Sequence, residues 1–219
     1  MYRVLLLFVS LFASGCVSAL DHADPLTDEP EYSPRDPTVP FKTAVSYEQV
    51  LQVWKTPEEV NEWIGANFSY DAARALRLSE NQRAKTEGIS IYSPSEFFER
   101  KSGVCVDLSL FAVETLRKID PNSDPKYVMI EFDPIQVKGN TLRLHWLARF
   151  KRDGKTYFFS DSKRPGHIAG PYDDTEAFIS EYEKFRGRKI IAFRELESCK
   201  KQWRNRARSG KQKRSPVKS

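Results

Sequence analysis

Cysteine and histidine are scarce in this chain of 219 residues. The three cysteines, Cys16, Cys105 and Cys199, stand far apart, and an odd, scattered set is not a disulfide framework. Histidine occurs only as His22, His145 and His167, and no C-x-x-C pair exists, so no structural zinc site, other metal or cofactor is expected. No apolar run reaches the ~20 residues that span a bilayer. Acidic residues are missing from Lys200 to Ser219, where nine Lys and Arg stand with no Asp or Glu. The net charge of +5 therefore comes from one tail, and the rest of the chain is mildly acidic. The body lacks an interleaved basic and aromatic surface, so no specific nucleic-acid partner is expected.

What is present supports one folded domain with tails. Apolar residues make up 40% of the chain, enough for a core, and charged residues 30%, enough for a solvated surface. Arg3 followed by the apolar stretch Val4 to Ala13 reads as a secretory signal. Ala13-Ser14-Gly15-Cys16 resembles a bacterial lipobox, which implies lipid attachment at Cys16 and a membrane as partner. Cleavage after Val17-Ser18-Ala19 is the alternative, and either route exports the chain. Five prolines between Pro25 and Pro40 mark an extended tether. The expected organisation is a signal peptide over 1–15, a lipidated cysteine and tether over 16–40, a domain over 41–197, and a basic tail over 198–219. The tail reads as a solvated extension that could touch anionic polymer or lipid.

Within the domain, Thr56-Pro57-Glu58-Glu59 predicts a helix start with a capping box, followed by the apolar stripe Val60, Trp63 and Ile64. Asp71 to Ala84 reads as one further helix, and Ser93-Pro94-Ser95-Glu96 repeats the capping logic. Leu108, Ala112, Leu116 and Ile119 share one helical face, which Pro121 ends. Strands are expected over Tyr127–Phe132, Leu142–Lys151 and Thr156–Ser160, then a helix over Thr175–Phe185 and a strand over Lys189–Phe193. Helices first and an antiparallel sheet later make an α+β pattern.

Cys105 falls at or just before a helix N-terminus, where unpaired N–H groups and the helix dipole favour a thiolate. The same position also suits a small buried core residue. Gly103 permits a sharp turn and a close substrate backbone. His145 is the best-mounted base, because a strand holds it rigidly, whereas His22 lies in the tether and His167 in a Pro- and Gly-rich loop. Asp153-Gly154 marks a hairpin with two open registers. A two-residue loop pairs Arg152 with Lys155 and turns Asp161 away from His145. A three-residue loop pairs Lys151 with Lys155 and sets His145 opposite Asp161, where a carboxylate orients an imidazole. The second register is the one that serves catalysis.

Ser102-Gly103-Val104-Cys105, a helix, a strand, then His145-Trp146, a hairpin and Asp161 together resemble the transglutaminase-like superfamily. The resemblance covers roughly Tyr47 to Phe193. It implies a papain-like core with N-terminal helices packed on a small antiparallel sheet. It also implies Cys105, His145 and Asp161 as the catalytic set, and an oxyanion donor upstream, Tyr70 before Trp63. The text after the histidine and after the aspartate, Trp146-Leu147 and Ser162-Lys163, departs from the family's usual Ala-Trp and Pro-Thr.

The expected activity is that of a cysteine peptidase or amidase of the bacterial envelope acting on a protein or peptide through a thioester. The rival expectations are an inactive binding module on the same fold, or an envelope interaction protein working through the basic tail.

Overall fold

The computed structural model describes residues 42–83, 89–162 and 166–199. Cys16, the signal and tether segments and the basic tail from Lys200 lie outside the described residues. Among the described residues no helix is long and apolar enough to cross a membrane.

Helix α1 (Tyr47–Val53) starts where the Ser46 hydroxyl accepts from Gln49 N–H. Helix α2 (Pro57–Asn67) carries the predicted capping box, with Thr56 accepting from Glu59 N–H and Glu59 from Thr56 N–H. A short strand β1 (Ser69–Tyr70) follows. The single helix expected from Asp71 is two, α3 (Ala72–Arg77) and α4 (Glu80–Arg83). The break falls at Ser79, which is buried and bonds the Asn140 side chain at 3.1 Å, a tie that a continuous helix has no propensity signal to foretell. Helix α5 (Pro94–Arg100) has its own capping box from Ser93 and Glu96. Strand β2 (Ser102–Gly103) pairs in parallel with β1. Helix α6 (Cys105–Ile119) then crosses the domain.

Five antiparallel strands form the sheet: β3 (Lys126–Val137), β4 (Asn140–Arg152), β5 (Lys155–Phe159), β6 (Ala169–Tyr172) and β7 (Ile190–Leu196), in the order β6-β5-β4-β3-β7. Helix α7 (Thr175–Arg186) lies between β6 and β7 in the chain. Strand alternation distributes β4 to two cores. Trp146, Ala148 and Phe150 face α6 and its cluster of Leu108, Phe111, Ala112 and Leu116. Leu147, from the opposite face, joins Phe178, Ile179 and Tyr182 of α7. The sheet is thus covered on both sides, and β4 is buried over most of its length, including Arg149.

The hairpin register corrects the expected one. Arg152 pairs with Lys155 and Ala148 with Phe159, so the loop is the two residues Asp153-Gly154. Both have positive φ, 51° and 72°, the geometry of a type I′ turn whose twist matches the strands.

Candidate functional site

Cys105 is the first residue of α6. The residue before it, Val104, is extended and has no side chain able to cap the helix. The first-turn N–H groups are therefore not consumed by a capping side chain at Val104, which keeps the positive helix end beside the sulfur. Asp107, in the same turn, accepts from Val104 N–H at 3.1 Å and from Tyr92 N–H at 2.9 Å. Arg74 of α3 grips Asp107 with two bonds, Nε to Oδ2 at 2.7 Å and Nη2 to Oδ1 at 2.9 Å. Asp107 is fully buried and Arg74 nearly so. The guanidinium balances a carboxylate that would otherwise oppose a thiolate two residues away.

Gly103 is needed for a reason other than the one expected. A Cβ there would lie 3.0 Å from the Phe97 ring and 3.1 Å from Asp107. Its role is to let the chain pass the buried Asp107, with no positive φ involved. The parallel β1·β2 pair holds this approach in place, with Asp71 N–H donating to Gly103 O at 2.8 Å. Tyr70 is thereby set across the ladder from Gly103, in a strand beyond α2.

His145 is 1% exposed, on the β4 face opposite Trp146. The observed register would carry the sixteenth residue after it, Asp161, away to the other face. It does not, because β5 ends at Phe159 and Ser160 adopts φ 72°. The Ser160 hydroxyl accepts from the Ala148 N–H at 3.3 Å, which ties the kink to β4. The chain then swings back, and Asp161 presents its carbonyl oxygen 3.2 Å and its Oδ2 3.7 Å from His145 Nε2. The contact expected from one register is reached through the other, by a kink.

Cys105 and His145 line one cleft together with Tyr70, Leu76, Leu142, Leu144 and Arg188. Nε2 is the ring nitrogen that faces Asp161. Arg143, also on the wall, is held by Glu80 Oε1 at 3.0 Å and Glu131 at 3.3 Å. Trp63, the other oxyanion candidate, is buried against Phe98 and Phe111 in the helical core, away from the cleft. His167 lies on the loop behind Asp161, its carbonyl accepting from Ser162 Oγ at 3.3 Å. Cys199 is fully buried in the α6 cluster. Among the described residues no three His, Cys, Asp or Glu side chains converge on a possible metal position.

A family profile described as a transglutaminase-like domain matches residues 45–184. The chain belongs to this transglutaminase-like family. The match runs from just before α1 to the last turn of α7, so the transglutaminase-like domain includes Cys105, His145 and Asp161. Among solved structures, EGTA-treated LapG of Legionella pneumophila is similar at 12% identity with a TM-score of 0.29, over 77% of this chain and 99% of that one. No curated protein matches.

Three polar residues of the site went unread in the sequence of the transglutaminase-like domain. Asp107 carried a legible signal, an acid at the third position of a helix. Arg74 and Tyr182 carried none, since each meets its partner across more than thirty residues of chain.

Proposed function

We propose that the chain is a cysteine hydrolase, a peptidase or amidase, that uses Cys105 as nucleophile, His145 as base and Asp161 as orienting carboxylate. The observation that carries this reading is the Ser160 kink. A non-glycine residue held at positive φ costs about 1 kcal/mol, and here it delivers a carboxylate to the buried face of the one histidine lining the Cys105 cleft. Papain-like chemistry follows from such a set. The Cys105 thiolate attacks the amide carbonyl carbon, and electron density moves to the oxygen. The Cys105 N–H and the Tyr70 hydroxyl are the proposed donors to that oxygen. The C–N bond breaks as protonated His145 gives its proton to the leaving nitrogen, leaving a thioester on Cys105. His145 then takes a proton from water, the hydroxide adds to the thioester carbonyl, and the acid and thiolate separate. The apolar wall of Leu76, Leu142 and Leu144 fits a peptide side chain beside the scissile bond.

The test is the pH–rate profile of iodoacetamide alkylation, with the labelled cysteine mapped by mass. An ordinary thiol titrates near ~8.5 and is almost wholly protonated at about pH 6. Cys105 is expected to react there and Cys199 not. His145→Ala is expected to return Cys105 to ordinary behaviour, and Asp161→Asn to move it part of the way. Wild-type Cys105 behaving as an ordinary thiol would hand the fold to the binding-module reading.

A further inference from the structure

A side chain of α7 reaches the same imidazole nitrogen. The Tyr182 hydroxyl lies 3.0 Å from Nε2, nearer than either Asp161 oxygen named above. The same hydroxyl donates to the Asp161 carbonyl at 3.3 Å and accepts from Arg186 Nη1 at 3.2 Å. Tyr182 is fully buried, its ring stacked on His145 at 5.9 Å and 22°. Arg186 is also buried, its guanidinium 5.7 Å over Phe132. Tyr182 and Arg186 are four residues apart on one face of α7, so a single helix supplies both.

Donor arithmetic sets the proton positions. A guanidinium only donates, so Arg186 occupies a lone pair of the Tyr182 oxygen. The phenol has one proton. If it went to Nε2, that nitrogen would be a bare lone pair facing two further oxygens, the Asp161 carbonyl and carboxylate. If it goes to the Asp161 carbonyl, Nε2 keeps its own proton and donates it into this ring of oxygens. Only the second arrangement turns an N–H, rather than a lone pair, toward these oxygens. It leaves the lone pair on Nδ1, the edge a thiol needs.

We propose that Tyr182, directed by Arg186, is a positioning residue that holds His145 with its proton on Nε2 and its basic nitrogen turned to Cys105. This deepens the hydrolase reading and rests on it. Among the described residues, Asp161 from the loop after β5 and Tyr182 from α7 contact the imidazole, Arg186 stands behind Tyr182, and Tyr70, Glu80, Cys105, Arg143 and Arg188 share the cleft with it.

Two measurements on the full chain test it. The first uses ¹⁵N-histidine in a Cys105→Ser background, with the His145 signal identified by its loss in His145→Ala. A proton on Nε2 is expected in the neutral ring, and a proton on Nδ1 overturns the proposal without reference to Cys105 reactivity. The second compares Cys105 alkylation at about pH 6 and about pH 9.5, above the ordinary thiol pKa. Tyr182→Phe keeps the stacked ring and removes one hydrogen bond, so a loss of about tenfold is expected at the lower pH and little at the higher. Equal loss at both values marks a merely structural role and overturns the proposal, as does no loss at all. Arg186→Met is expected to act in the same direction by about threefold, and the same two outcomes from it count against the proposal if Tyr182→Phe does not fold. Failure of the hydrolase reading itself is a different result, namely a wild-type Cys105 that is unreactive at pH 6.

Discussion

At Ser160 the chain leaves the sheet with φ 72°, and the hydroxyl anchors the turn to β4 by accepting the Ala148 N–H. Serine tolerates this conformation less well than glycine, but glycine has no oxygen to offer a buried N–H. The side chain and the strain therefore belong together. Ser160→Ala keeps the strain and removes the acceptor. It is expected to destabilise the domain by about 1 kcal/mol, the worth of one hydrogen bond. It should also slow Cys105 alkylation at pH 6 by letting Asp161 drift. Urea unfolding and the alkylation rate check both, and an unchanged pair of values would remove the hydroxyl from this role.

Helix α6 shows how an element is placed as well as formed. Its apolar face buries Leu108, Ala112 and Leu116 against β4, which fixes its rotation. Its N-terminus is fixed separately, by Asp107 bridging Val104, Tyr92 and Arg74. Tyr92 also lies under the Arg74 guanidinium, with 3.7 Å to the ring centroid. Breaking this buried pair on one side leaves an uncompensated charge. Asp107→Asn is therefore expected to cost about 3–5 kcal/mol in urea unfolding. A loss under 1 kcal/mol would mean that packing alone seats the nucleophile's helix.

Across the whole molecule, Arg149 ties the second core to the sheet edge. It runs through β4, is 2% exposed, and meets Glu195 of β7 at 2.6 Å and Asp124 at 3.0 Å. Burial pushes the Glu195 carboxyl up, but hydrogen bonds from Arg149 and Thr175 outweigh it and hold it below the usual glutamate value. Asp124 is likewise held low, against burial, by Arg149. A carboxylate depressed in the folded state adds stability that is complete above its unfolded value near ~4.3 and is lost as pH falls through the lower folded value. Thermal unfolding from pH 6 to pH 3 should therefore show a steeper acid loss in the wild type than in Glu195→Gln. The variant is expected to start about 1 kcal/mol lower at pH 6, a figure kept small because Glu195 is part-exposed. Parallel curves would show that this pair does not contribute to acid sensitivity.

The sequence alone determined what local rules govern. The caps at Thr56 and Ser93, the stripe along α6, the alternation of β4 and the place of the hairpin at Asp153-Gly154, though not its register, follow from side chains acting on backbone a few residues away. The residue types at Cys105 and His145, and their mounting on a helix start and a strand, were legible for the same reason. The tertiary structure decided what depends on distant partners. The α3–α4 break waits on Asn140, the need for glycine at 103 on Asp107 and Phe97, and the return of Asp161 on a hydroxyl that must find Ala148 across the hairpin. The register that sets Asp161 opposite His145 is not the one formed, and the one formed would carry Asp161 to the other face if it ran on, because periodicity continues a ladder and cannot foresee where one residue leaves it. Tyr182 reaches His145 only once α7 has packed on the second face of the sheet, a contact that no spacing along the chain encodes.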